Sequence, residues 1–190
     1  MPRAGNHRML TNLPLLDEVL SHHAAQLGRD FEAYRNHAYR VANFCWSLAG
    51  LNGLADDHEA LRTISLAAAF HDLGIWTDDT FDYLAPSQRL AREWISSHGG
   101  DKFAGEVGVM ICQHHKITPY RGSEGGLVEM FRRADWADVS KGLVAPGLSR
   151  ELRREVFDEF PDSGFHKRLL MLSYRRFLNH PLNPLPMLKL

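Results

Sequence analysis

The chain is expected to fold as an all-α, compact single-domain helical bundle, on three observations. Apolar residues recur at steps of three and four along most of the sequence. No alternating strand flanked by turn residues can be found. Glycine and proline clusters cut the chain into segments of helix length. A length of 190 residues suits one domain with a real hydrophobic core.

The first helix is expected from Pro14, whose fixed φ suits a first helical position, to just before Gly28. A second follows Asp30, read as its N-cap, and runs to about Ala49. The third covers about His58 to His71, with Gly74 of HDLG as its exit. The segment WTDDTFDYLAP reads as a polar and aromatic connector, and Pro86 opens a fourth helix to about Ser97. Gly99 and Gly100 separate this from a fifth, about Lys102 to His115, and KITPYRGSEGG is the clearest loop. A sixth spans about Leu127 to Ser140. After the VAPGLS break, helices are expected at about Arg150 to Phe160 and Gly164 to Asn179.

This divides the chain into an N-terminal helix within 1–29, a core over 30–140, completing helices over 141–180 and a proline-rich tail over 181–190. The tail is expected to be extended, packing as an arm on this subunit or on another, so self-association is left open.

Composition limits the function. Twenty-two basic and 23 acidic residues leave a formal net charge of -1, so no polycation is available for a nucleic acid polymer or an acidic membrane, and small-molecule partners are favoured. Cys45 and Cys112 both lie in apolar helical patterns, which fits buried thiols in a reducing cytoplasm. The start of the sequence lacks a signal-type pattern and no run has the apolar length of a membrane span, so a cytoplasmic location is expected. Histidine stands out, with 11 among 190 residues. His7, His22, His23 and His58 read as surface or linker positions, and His98 as a loop residue beside Gly99.

Other histidines fall on inward stripes. Leu61, Ile64, Ala68 and His71 share one helix face, with Asp72 next to the last of them. His37, Val41, Phe44 and Leu48 form another stripe, and Val128, Phe131, Asp135 and Asp138 a third. Carboxylates on core faces are costly unless a partner compensates their charge, and a divalent cation does so. Mixed imidazole and carboxylate ligation suits Zn, Fe, Mn, Ni, Co or Mg, and the lack of a cysteine cluster argues against a structural zinc knuckle. Singly, each residue has an ordinary explanation as a hydrogen-bonded core group; the conjunction carries the reading. Phe103, Val107, Met110 or Ile111, and His114 make a fourth stripe, so His114 approaches the same centre, whereas His115 faces substrate or solvent.

His37, then His71-Asp72, then Asp135, in RNHAYRVANF, AAAFHDLG and FRRADWAD, resemble the H…HD…D signature of the HD superfamily of metal-dependent phosphohydrolases over about residues 30–140. The resemblance implies a bundle of the HD-domain, PDEase-like type. It also implies a ligand set of His37, His71, Asp72 and Asp135, with Asp72 orienting or deprotonating the attacking water. Asp135 is preferred to Asp138 by its place after an alanine, and Asp138 is then a partner to a ligating histidine. Two-metal members carry a further histidine near the start of the fourth helix. Ser87-Gln88 stand there, which favours one metal per chain and leaves His114 to contact substrate or act as general acid.

His115, Lys116 and Arg121 are assigned to substrate, with Arg132 and Arg133 as further candidates to meet a phosphate. Trp76 and Tyr83 are expected to overhang the metal. The expected activity is hydrolysis of a nucleotide or another small phosphoester. The alternatives are a non-phosphate HD metalloenzyme resembling cyanamide hydratases, and a non-catalytic regulatory HD domain that binds metal or nucleotide.

Overall fold

The computed structural model describes residues 9–54, 57–122, 126–183 and 185–188. They form ten α-helices and one 3-10 turn, with no strand among them, packed as one all-α unit as the periodicity predicted.

α1 (Pro14–His22) opens with its proline in the first turn and stops at His23. A single helix to Gly28 was expected. Instead the imidazole of His23 turns inward against Phe70, and the chain resumes as α2 (Ala24–Leu27). His23 is thus buried, contrary to its reading as a surface residue. Gly28–Asp30 form the 3-10 turn, which runs straight into α3 (Phe31–Gly50). Because the backbone there is already helical, Asp30 makes no side-chain cap. Its carboxylate accepts from Trp76 Nε1 at 3.0 Å and pairs with Arg168.

α4 (His58–Phe70) is capped by Asp57, which accepts from the backbone N–H groups of Glu59 and Ala60 at 2.9 and 3.0 Å. Gly74, expected as a helix exit, instead begins a short helix, α5 (Gly74–Thr77). Close approach explains the glycine: a Cβ there would lie 2.7 Å from the Tyr83 carbonyl oxygen and 2.9 Å from Pro86 Cβ. The Gly74 N–H donates to Ser87 Oγ at 2.9 Å, stitching the chain after His71-Asp72 to α6 (Leu84–Ser97). Pro86 stands in the first turn of α6, where its missing N–H costs no helical bond.

α7 (Asp101–Gln113) ends before His114 and His115, which occupy the turn beyond it. α8 (Gly126–Val139) lies against α3. α9 (Arg150–Glu159), capped by Ser149, and α10 (Phe165–Asn179), entered through Gly164 at φ 92°, complete the outer layer on α3. The tail was expected to be extended; it makes turns at 181–182 and 186–187 and buries Met187 among Ile75, Tyr83 and Leu84.

The core lies between α3, α4, α7 and α8, filled by residues such as Phe44, Ile64, Val107 and Phe131. These four elements carry the inward stripes, so the histidines and acids on them meet in one place. Cys45 is buried and Cys112 half-buried, and neither is in a disulfide. No described helix is long and apolar enough to cross a membrane.

Candidate metal centre

Four inward stripes deliver His37 from α3, His71 and Asp72 from the end of α4, His114 and His115 from the end of α7, and Asp135 from α8. His37, His71, His114 and Asp135 are inaccessible to solvent, Asp72 is 2 % exposed, and the His115 side chain is 13 % exposed. His37 Nε2 and His71 Nε2 lie 2.8 Å apart. Asp72 Oδ2 is 3.6 Å from each, and Asp135 Oδ1 is 3.8 and 3.7 Å from them. On the other side, His114 Nε2 is 3.3 Å from Asp72 Oδ1 and His115 Nδ1 is 3.4 Å from Asp135 Oδ2.

The rings are held from behind. His37 Nδ1 donates to Asp138 Oδ2 at 2.6 Å, His71 Nδ1 to the Ala68 carbonyl at 2.9 Å, and His114 Nδ1 to the Ile111 carbonyl at 2.7 Å. Each bond keeps a proton on Nδ1 and points Nε2 inward. His37 Nε2 and His71 Nε2, 2.8 Å apart, share a positive charge between them, either a proton carried by His37 or a bound cation.

Four buried atoms at this centre have no hydrogen-bond partner among the described residues: Asp72 Oδ1, His114 Nε2 and both oxygens of Asp135. An orphaned buried polar atom costs about 1–3 kcal/mol, and more when charged. Asp72 Oδ1 and His114 Nε2 face each other at 3.3 Å and pair when His114 is protonated, which leaves the two Asp135 oxygens as the atoms most in need of a positive partner. The donor set therefore fits a cation. Two groups offer ligand atoms all within 4.8 Å of one another, His37-His71-Asp72 and Asp72-His114-His115, with Asp72 common to both.

Electrostatics follow from burial among fixed charges. Burial opposes a charge on His37, but the Asp138 and Asp72 carboxylates outweigh it and raise the imidazole to about 9. Burial presses His71 down to about 3, and burial with the neighbouring His114 holds His115 well below its ordinary value. Burial raises Asp135, whereas His71 and His114 overcome burial to hold Asp72 low.

Behind His37, the carboxylate of Asp138 is gripped by Arg40, a fully buried guanidinium that also donates to the Phe160 and Pro161 carbonyls at 3.0 and 3.1 Å. His37 and Arg40 overcome burial and keep Asp138 well below the usual carboxylate range. Asp138 is thus the histidine partner considered from the sequence. Arg40 was missed, although its place one turn after His37 in α3 was a signal: a charge beside an inward stripe. Phe165 was also missed. Its ring stacks on His37 at 3.9 Å from α10, a contact no local pattern announces.

The other expected site residues scatter. Tyr83 is buried, with its hydroxyl 2.6 Å from His115 Nε2. Trp76 packs at a tilt against Tyr34, ring centroids 4.8 Å apart, and the Tyr34 hydroxyl donates to the Ala69 carbonyl and accepts from the Asp72 N–H. The Lys116 carbonyl accepts from Arg132 and Trp136, which fixes the chain just after the histidine pair. Arg121 is exposed on the loop beyond, and none of the described contacts ties it to the centre. Arg132 is held by Glu129 and Arg133 by the Pro146 carbonyl, so both are engaged structurally. His98 stacks on Trp94, at a separate pocket. Ser87 fastens Gly74, and the group Asp72-His114-His115 offers a second cation position without the histidine expected there. His7 lies outside the described residues.

No protein-family model, no curated protein and no solved structure matches the chain.

Proposed function

We propose that this chain is a metal-dependent hydrolase of the HD type, acting on a nucleotide or another small phosphoester. The observation that carries the reading is the convergence of buried imidazole and carboxylate atoms in the residue order His37, His71-Asp72, Asp135, with Asp72 Oδ1 and both Asp135 oxygens lacking a hydrogen-bond partner among the described residues. His37, His71, Asp72 and Asp135 would hold the cation, whose chemistry when bound is Lewis-acid activation of water and of the phosphoryl group. Asp72 has one oxygen toward the histidine pair and the other toward His114, so it is placed to take a proton from the attacking water. Against burial, Asp72 and Asp135 favour the doubly protonated His114, which in that form would offer the Nε2 proton to the leaving group. His115 is the most exposed residue of the centre and marks the side of substrate entry, where Lys116 follows it.

The overlapping group Asp72-His114-His115 favours a second reading, in which two cations are bound and His114 serves as a ligand. Elemental analysis of the purified protein separates them, with one equivalent expected for the first and two for the second. Phosphate release from a panel of nucleotides and sugar phosphates should require the metal. His71→Ala or Asp72→Ala should lower it more than about 100-fold, beyond what loss of an outer partner costs. Background phosphate with every substrate from a metal-loaded sample would refute the hydrolase reading, and tight nucleotide binding without turnover would replace it with a regulatory role.

A further inference from the structure

α10 is apolar on two sides. Phe165, Leu169 and Leu172 turn inward, the first onto His37 and the others onto the body of the protein. On the opposite side, Leu170, Met171, Tyr174, Phe177 and Leu178 follow the helical repeat and are 72, 37, 61, 51 and 60 % exposed, and Leu182 just beyond is 100 % exposed. These six side chains present on the order of 800 Å² of surface, above the roughly 300–600 Å² of the largest apolar patch on a typical monomer. The same area is about what each partner contributes to a standard-size protein interface.

We propose that this face is covered by a second copy of the chain, with the two α10 helices packed stripe to stripe across a two-fold axis. From Leu170 to Leu182 the stripe is apolar, with the exposed Lys167 at its N-terminal edge, and it is the same on both copies, as an isologous contact requires. A formal net charge of -1 gives two copies almost no long-range repulsion. Other occupants fit less well. Residues 1–8, MPRAGNHR, hold a single large apolar side chain, Met1, too little to cover six. An anionic bilayer selects a cationic rim around such a stripe. In α10, Arg168 pairs with Asp30 and Arg176 donates to the Asn183 carbonyl, so the rim is Lys167 and Arg175, fewer than the roughly four to eight cations of a polybasic cluster.

The test is sedimentation velocity of the full chain from about 1 to about 100 μM, a range that brackets micromolar association. It is run beside Tyr174→Glu and the triple variant Leu170→Glu, Tyr174→Glu, Leu178→Glu, with circular dichroism to confirm that each is folded. The wild type should sediment at twice 21.6 kDa. The triple variant should raise the dissociation constant at least about 100-fold while keeping its helicity. Tyr174→Glu alone should raise it measurably, and it carries the test if the triple variant misfolds. A wild type that stays monomeric at the highest concentration overturns the proposal, as does a dimer unmoved by the folded variants. A monomeric wild type that co-sediments with phosphatidylglycerol vesicles assigns the face to a bilayer and equally overturns it.

Discussion

Two regions of this molecule gather histidines and acids, and they differ in whether the free ring nitrogens converge on one buried point. At the candidate metal centre, His37, His71 and His114 each spend Nδ1 on a carboxylate or a backbone carbonyl, and their Nε2 atoms converge. Between α1 and α6, a pocket is lined by Glu18, His22, His23, Glu93 and His98 around Trp94. There His98 lies flat on Trp94 with Nδ1 2.8 Å from the Trp94 carbonyl, while His22 meets the same indole edge-on at 5.2 Å. Among the described residues this second region forms no group whose ligand atoms come within 4.8 Å of each other. Abundance of imidazole therefore does not make a metal site. An Nδ1 anchored on a backbone carbonyl is common to both regions, as at His98; what the candidate centre adds is a set of core-fixed helices that turn the Nε2 atoms toward one another, and the Arg40-Asp138 brace behind His37.

The comparison can be broken most strongly at its anchor. Arg40→Met removes the buried cation that holds Asp138 and should cost about 3–5 kcal/mol by leaving an uncompensated carboxylate behind His37. Urea unfolding measures this, and elemental analysis should show reduced metal content in the folded fraction. An Arg40→Met protein with wild-type stability and metal content would mean that the anchor is not what distinguishes the two regions. Gly74→Ala comes next. The added methyl group meets backbone at Tyr83 and should cost about 1–3 kcal/mol, displacing the turn that follows Asp72. The same unfolding curve reads it, and an unchanged midpoint would show that the turn yields freely. The smallest effect belongs to the other region: His98→Ala should cost at most about 1 kcal/mol for the lost stack and leave the metal content unchanged. A loss of metal there would erase the contrast.

The two regions were not equally legible. Stripes such as His37, Val41, Phe44 and Leu48 place a polar group on a core face, because a helix with one apolar side admits one orientation. His98 was read as a loop residue beside Gly99; it closes α6, and its stack on Trp94, four residues back, had no signal in the sequence. His23 was misread because its burial depends on a break in α1 and on Phe70, 47 residues away, which no local signal encodes. The tail was misread as extended for a similar reason: the partners of Met187 come from α5 and α6 and the turn between them.

The sequence by itself determined that the chain is all helical, where most helices run, and that His37, His71, Asp72, His114 and Asp135 face inward, since periodicity and turn residues act over a few positions. Only the tertiary structure decided that these faces meet at one point, that His115 joins them beside Tyr83, and that Arg40 and Asp138 brace the centre. It also decided that α10 buries one side of its apolar surface and leaves the other bare. Distance between helices, and the cost of a buried charge without a partner, are properties of the packed core and have no local spacing to announce them.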